Sequence, residues 1–360
     1  MEPRQGMTTT VLTDDLVVEI LSRLPLKSFC HFKCVSKSWL VFSSDLHYRQ
    51  KLPRTLVGLL YQKREHDTTI HLVGLPSSDR DIDTTLGFVQ CYEHPLELKD
   101  CSNGLLLCYQ GGMPSKEVSD AIVCNPATQE WMALPDTEPG PAVCYASYKL
   151  CFDPLWSQYF YVFKFESSPS GGYDIVVKVF FSEYSTWSNC VWETSDIFFG
   201  DSLFVNGVLY VQHLWGHYLL ALDAPDTCTE LLNHRTFQGF IALMAVFQSS
   251  GVLCYAQQEL DGSMIRIWSL EGSDRWVVKH RLSMNNVFGR KIMLRTNNDG
   301  VWYFDYEILA FYLERELVII ANTIADNKII SYSINTRKSS QILNIPRFVD
   351  LYRSLLYVPH

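Results

Sequence analysis

The chain has 360 residues, 47% of them hydrophobic and 19% charged, with a formal net charge of −9. Such a composition excludes a disordered tail protein, a collagen-like chain and a coiled coil, and its acidic balance argues against nucleic acid as the main partner, since phosphate binding needs a basic footprint. At about 150 residues per domain the length suits two domains, or one small module beside a large one, and the aromatic share of 13% leans the bulk of the chain toward β structure.

Residues 1–10 contain no apolar stretch of the kind a secretory signal needs and are read as a disordered leader. Helical periodicity runs from Val11 to Lys51. Thr13 is suited to cap a helix whose first turn holds Asp14 and Asp15, where carboxylates favour the positive end of the helix dipole. Leu16, Ile20 and Leu24 follow at i, i+4 and i+8, and Pro25 stops the helix. A second short helix is expected from Lys27 to Val35, with Phe29, Phe32 and Val35 on one face; a third segment holds Trp39, Leu40 and Phe42. A piece of about 40 residues rarely stabilises itself unaided. Its apolar surface either packs on the larger domain or waits for another protein. Charge divides the chain at the same place: residues 11–54 carry seven Lys/Arg against four Asp/Glu, and residues 55–360 carry 22 against 34. That division suggests two surfaces with different partners.

From Leu12 to Ser28 (LTDDLVVEILSRLPLKS) and from Phe32 to Trp39 (FKCVSKSW) the residues resemble the F-box, with the spacing of that motif intact. Thr13 stands where the wider family usually has Pro, a small departure, because Thr caps a helix as well as Pro starts one. The resemblance implies that residues 11–52 form a small all-α module of three short helices. It also implies that Leu12, Leu16, Ile20, Leu24, Pro25, Val35 and Trp39 lie at or near the surface that docks a Skp-type adaptor, or, for Trp39 above all, hold the helices together.

Beyond the short junction Leu52-Pro53-Arg54, glycine-led apolar strands recur. They begin at Gly58, Gly104, Gly207, Gly251 and Gly300, and the double-length gap after Gly104 is filled by Asp153-Pro154 with Tyr159-Phe160-Tyr161-Val162. A second element follows in phase, an apolar strand, a turn and often Trp: Ile122–Asn125 before Trp131, Val179–Ser182 before Trp187, Ile265–Trp268 before Trp276, and Ile330–Asn335 at the end. Short strands and Gly turns at a period of about 40 to 50 residues mark a β-propeller, whose small sheets must stack to bury both faces. About six blades are expected over residues 53–360, or seven; a β-sandwich with turns at that spacing is the alternative. The phrases Cys101–Leu106, Cys124–Pro135, Phe152-Asp153-Pro154 and Val205–Tyr210 resemble the kelch-like F-box-associated region of plant F-box proteins.

Motifs of chemistry are missing. There is no nucleophile elbow, P-loop, zinc-protease or dinucleotide fingerprint, and the 11 cysteines contain no C-x-x-C. Cys108, Cys124, Cys151 and Cys254 sit in apolar runs, where a reduced Cys acts as a small hydrophobe. Cys30 and Cys34 share a helical spacing, but two ligands do not make a zinc site. His213 and His217 would project about 13 Å apart on a strand, Asp79–Asp83 reads as a solvated acidic loop, and Glu314-Arg315-Glu316 as a charged hairpin turn. No cofactor or metal is expected, and no apolar run approaches the roughly 20 residues that cross a bilayer. The expectation is an intracellular protein, cytoplasmic, nuclear or both.

Two functions follow. In the first, implied by the resemblance, the chain is not an enzyme but the substrate-recognition adaptor of an SCF-type ubiquitin ligase: the F-box docks a Skp-type adaptor and through it a cullin, and the propeller binds an unknown target protein. In the second it is a carbohydrate-binding or enzymatic propeller with a helical head packed on it. Specificity loops are sought at Gly111–Pro114, Pro135–Pro141, Ser167–Gly172, Ala224–Thr229 and Gly272–Asp274.

Overall fold

The apolar runs become strands in a computed structural model of the chain, which describes Thr13 and residues 16–17, 19–20, 58–62, 70–74, 86–89, 96–110, 121–137, 145–154, 156–167, 175–192, 200–212, 218–224, 234–238, 243–249, 251–259, 261–272, 275–289, 294–296, 302–304, 306–312, 316–322, 328–344 and 355–357. The first strands are β1 (Gly58–Gln62) and β2 (Ile70–Gly74). Blade I is the antiparallel meander β3 (Leu96–Ser102), β4 (Leu105–Gln110), β5 (Ala121–Asn125) and β6 (Glu130–Ala133). Blade II is β7 (Tyr145–Cys151), β8 (Tyr161–Ser167), β9 (Ile175–Phe181) and β10 (Thr186–Trp192). Blade III is β11 (Ser202–Val205), β12 (Val208–Gln212), β13 (Tyr218–Asp223) and β14 (His234–Gln238). Blade IV is β15 (Leu243–Ser249), β16 (Val252–Gln258), β17 (Met264–Glu271) and β18 (Arg275–Ser283), continued by the short helix α1 (Met284–Phe288). A hairpin, β19 (Leu294–Thr296) and β20 (Trp302–Phe304), precedes blade V: β21 (Tyr306–Tyr312), β22 (Leu317–Asn322), β23 (Lys328–Ser333) and β24 (Lys338–Asn344). The last described strand, β25 (Leu355–Tyr357), returns to pair with β1, so that Gly58 faces Tyr357 and the first and last described strands share one sheet in the order β2-β1-β25.

The blade count therefore differs from the expected six or seven. Among the described residues five sheets have four strands, and the sixth unit is this three-stranded closing sheet. Its inner strand comes from the far end of the chain, which no local pattern announces. The Gly300 element is also corrected. Trp302–Phe304 belongs to the hairpin before blade V, and the first turn of blade V is instead at Glu316, whose φ is 45°.

Successive blades touch through their first strands: β25 with β3, then β3 with β7, β7 with β11, β11 with β15, and β15 with β21. Alternate residues of a strand then face opposite neighbours. In β4, Leu106 and Cys108 pack toward the closing sheet with Leu60 and Ile70, while Leu107 packs toward blade II with Leu150, Val162 and Phe180. In β8, Phe163 and Phe165 turn to blade III against Phe204, Leu209 and Leu220. Burial on both faces explains why these strands read as continuous apolar runs rather than as an alternation. Bulges at Leu98/Asp100, Leu243/Ala245 and Ile308/Ala310 fall in the first strands of blades I, IV and V, where added twist suits the crowded centre.

The two sequence elements acquire positions. Each Gly-led strand is the second strand of its sheet: β1, β4, β12 and β16. The turns before β4 and β12 are Asn103-Gly104 (φ 44° and 87°) and Asn206-Gly207 (φ 49° and 80°), left-handed pairs that match the twist of a hairpin. The Trp element is the third-to-fourth turn and the fourth strand, with Gln129, Ser185, Gly272 and Arg337 at positive φ in blades I, II, IV and V. Trp187 and Trp276 occupy the second position of β10 and β18 and pack toward the preceding blade. Trp131 holds that position in β6, beside the three-stranded sheet, and is 39% exposed.

Candidate functional site

A meander puts its first-to-second and third-to-fourth connections at one end, here the turn end, and its remaining connections at the other, the loop end. β1 occupies a second-strand position, so the chain enters the propeller at Gly58 on the turn end, opposite Tyr357. Of the sought loops, residues 111–114, 138–141, 168–172, 225–229 and 273–274 lie outside the described residues. The described strands on either side of the first three have their facing ends at the loop end, and those on either side of the last two have theirs at the turn end.

Before the propeller, the backbone N–H of Val17 donates to the Thr13 carbonyl at 3.1 Å, an i→i−4 helical bond. Val17 is 5% exposed, whereas Leu16 and Ile20, four residues apart on one helical face, are 52% and 41% exposed. Leu12, Leu24, Pro25, Val35 and Trp39 lie outside the described residues, as do residues 1–10, the expected second and third helices, Cys30, Cys34, Asp79–Asp83, His213, His217, Glu314 and Arg315. Cys108, Cys124, Cys151 and Cys254 are buried and unbridged, and burial pushes the Cys151 thiol up. For Cys108, its hydrogen bond to Cys124 and burial both push the thiol up. Among the described residues no three His, Cys, Asp or Glu gather as a metal site would require, and no helix is long and apolar enough to cross a membrane.

The seam between blades I and II carries charges that the sequence reading did not single out. At its turn end, Asp100 is buried, its carboxylate accepting from the backbone N–H of Leu150 at 2.7 Å and of Cys101 at 2.8 Å. Burial pushes that carboxyl up, and the Lys149 ammonium and the two amides offset this only in part. Above it comes an apolar layer of Leu107, Val123, Leu134, Leu150, Val162 and Phe180. Above that, near the loop end, Glu166 sits between two ammoniums, Lys164 Nζ at 2.6 Å and Lys178 Nζ at 2.9 Å. The side chains are only 9%, 13% and 10% exposed, respectively. Lys164 also donates to Thr137 Oγ1 at 3.1 Å and lies 5.5 Å from the centre of the Tyr148 ring. Tyr148 neighbours Tyr109 at 5.9 Å, and Lys99 lies 5.5 Å from the Tyr109 ring while pairing with Glu97 at 2.8 Å. Burial pushes the Glu166 carboxyl up, but the hydrogen bonds and charge of Lys164 and Lys178 push it down further, so it lies below the ordinary glutamate range. The available signal was local: YVFKFE and IVVKVFF each break a buried apolar strand with a charge.

Residues 11–51 match the family model of the F-box domain. Along most of its length the chain is similar to F-box proteins of Arabidopsis thaliana. It is 26% identical over 301 residues to F-box protein At5g49610, covering 77% of this chain and 80% of that one. To F-box protein At5g07610 it is 24% identical over 328 residues, covering 83% and 76%. Among solved structures, an oligogalacturonate lyase in complex with manganese matches 67% of this chain and 62% of its own at a TM-score of 0.39 and 10% identity, a likeness from which no function is argued. The chain thus carries an F-box domain at its amino-terminal side and is similar to plant F-box proteins across both of its regions.

Proposed function

We propose that this protein is the target-recognition subunit of an SCF-type ubiquitin ligase, its F-box docking a Skp-type adaptor and thereby a cullin, and its propeller, read as an F-box-associated region, holding a target protein. The observation that carries this reading is the exposure of Leu16 and Ile20 on one face of a helix inside the matched F-box, while Val17 between them is covered. Apolar side chains at helical spacing, uncovered by their own chain, suit a partner that removes them from water at about 25 cal/mol per Å². The topology supports a division of labour. The first described strand of the propeller, β1, starts at the turn end opposite Tyr357, and the opposite, loop end is assigned to the target.

In this role the protein does no covalent chemistry. It contributes proximity, raising the local concentration of a target lysine beside the charged ubiquitin carrier. The test is co-purification of the full chain with a Skp-type adaptor. A stoichiometric complex is expected; a folded chain that forms none returns the function to a stand-alone propeller.

A further inference from the structure

We propose that the loop-end mouth of the seam between blades I and II is an anion subsite, in which Lys164 and Lys178 receive a carboxylate side chain of the target protein. The assignment rests on the reading of the propeller as a target-binding domain and names the chemistry it recognises. Among the described residues, the linked group of Lys99, Lys164 and Lys178 stands against Glu97 and Glu166, three ammoniums to two carboxylates. This cationic excess lies in a segment, residues 55–360, that carries 22 Lys/Arg against 34 Asp/Glu. A local reversal of sign between low-dielectric walls focuses the field on an incoming anion.

Lys178 is the telling residue. An ammonium has three donors. Among the described residues the partner of Lys178 is a single Glu166 oxygen at 2.9 Å, although the residue is 8% exposed. Glu166 alone must serve two ammoniums, and a desolvated cation that shares half a counter-ion is costly unless a second anion arrives. The surroundings suit an acidic side chain. Tyr109 and Tyr148 line the same seam.

Glu166 is then a competitor for the same ammoniums, which fixes the sign of the test. With the full-length chain at low salt, fluorescein-labelled hexaglutamate should bind by anisotropy and hexaglutamine should not. Lys178→Met should weaken hexaglutamate about ten- to a hundredfold, the loss of one charge-assisted hydrogen bond in a desolvated site. Glu166→Gln should tighten it, an outcome that a merely structural cluster does not produce and that stands even if Lys178→Met fails to fold. Equal binding of the two peptides, no binding of hexaglutamate, or weaker binding by Glu166→Gln overturns the proposal. Binding of a phosphoserine peptide without hexaglutamate overturns the carboxylate assignment. Adaptor co-purification from the same preparation keeps the two readings apart: adaptor lost with peptide binding intact sinks only the ligase role, and the converse sinks only the subsite.

Discussion

The side-chain amide of Asn206 donates to the backbone carbonyl of Gly251 at 3.0 Å, joining the first turn of blade III to the first turn of blade IV. Asn103 repeats the device between blades I and II, donating to the Phe152 carbonyl at 2.6 Å. Each Asn does two things at once: it takes the left-handed turn conformation, φ 49° and 44°, and it latches the neighbouring blade. The two can be separated. Asn206→Gly keeps the conformation and loses the latch, at about 1 kcal/mol. Asn206→Ala loses both, at about 2 kcal/mol, because a left-handed Ala costs roughly 1 kcal/mol more. Denaturant unfolding should rank Ala below Gly; equal losses would mean the backbone conformation costs nothing here.

Gly207 completes the same turn at φ 80°, and a Cβ built there would lie 2.7 Å from the indole of Trp156 in blade II. Trp156, partly buried, packs edge-on to Phe204 at 5.5 Å and against Tyr161 at 5.7 Å, and these contacts resist its retreat. Gly207→Ala should therefore cost more than 2 kcal/mol, on the order of an overpacked core substitution plus backbone strain. Combined with Trp156→Leu, the cost of Gly207→Ala should shrink. Strict additivity in the double-mutant cycle would show that the indole is not what the methyl meets.

The propeller was legible where one residue's own conformation carried the signal. Asn103-Gly104 and Asn206-Gly207 demand positive φ, so their recurrence marks hairpins whatever surrounds them. What could not be read was pairing across distance. β25 meets β1 about 300 residues away in sequence, so the closing sheet was counted as an ordinary blade. Likewise Gln62, which donates to the Leu96 carbonyl at 2.8 Å and accepts from the Leu98 N–H at 3.0 Å, looks like the end of a strand until blade I is beside it. Gln258, donating to the Tyr306 hydroxyl at 2.6 Å, makes a comparable crossing from blade IV to blade V. In hindsight a Gln closes β1, β4, β12 and β16 alike, a repeat as regular as the glycines.

The Lys164–Glu166–Lys178 cluster also sets an acid response. The folded carboxyl of Glu166 titrates below its unfolded range, so in that window the unfolded chain binds more protons. Its stabilising contribution is full above the ordinary glutamate pKa and is lost as pH falls through the folded one. Replacing Glu166 by Gln removes the titration. Unfolding curves recorded between pH 7 and pH 3 should converge for the two proteins toward the acid end, whereas a constant gap would mean the carboxylate is not held by the lysines.

At the F-box the contrast between Leu16 and its neighbour Val17 yields opposite failures. Leu16 is 52% exposed, so Leu16→Asp should leave the chain folded while placing a charge in the apolar surface that an adaptor would cover. Val17 is buried, and Val17→Asp should damage the helix itself. Adaptor co-purification should be lost in both, but only Val17→Asp should also lower the thermal transition or solubility. A Leu16→Asp protein that still captures the adaptor would remove that side chain from the docking surface.

The two faces of the propeller can be tested against each other. If the loop end holds the target, replacing 111–114 or 168–172 by short Gly-Ser linkers should reduce target capture, because the described strands on either side of them face each other at that end. The same replacement at 225–229 or 272–274 alters the turn end, on the side where the chain enters at Gly58, and should leave capture unchanged. Proximity labelling with the ubiquitin machinery blocked, comparing the four variants with the parent chain, reads this directly. Loss confined to the turn-end variants would place the target on the same side as the F-box connection. The distance between a bound target and the ubiquitin carrier would then be set by that connection rather than by the depth of the propeller, which spans about 20 Å for strands of six residues.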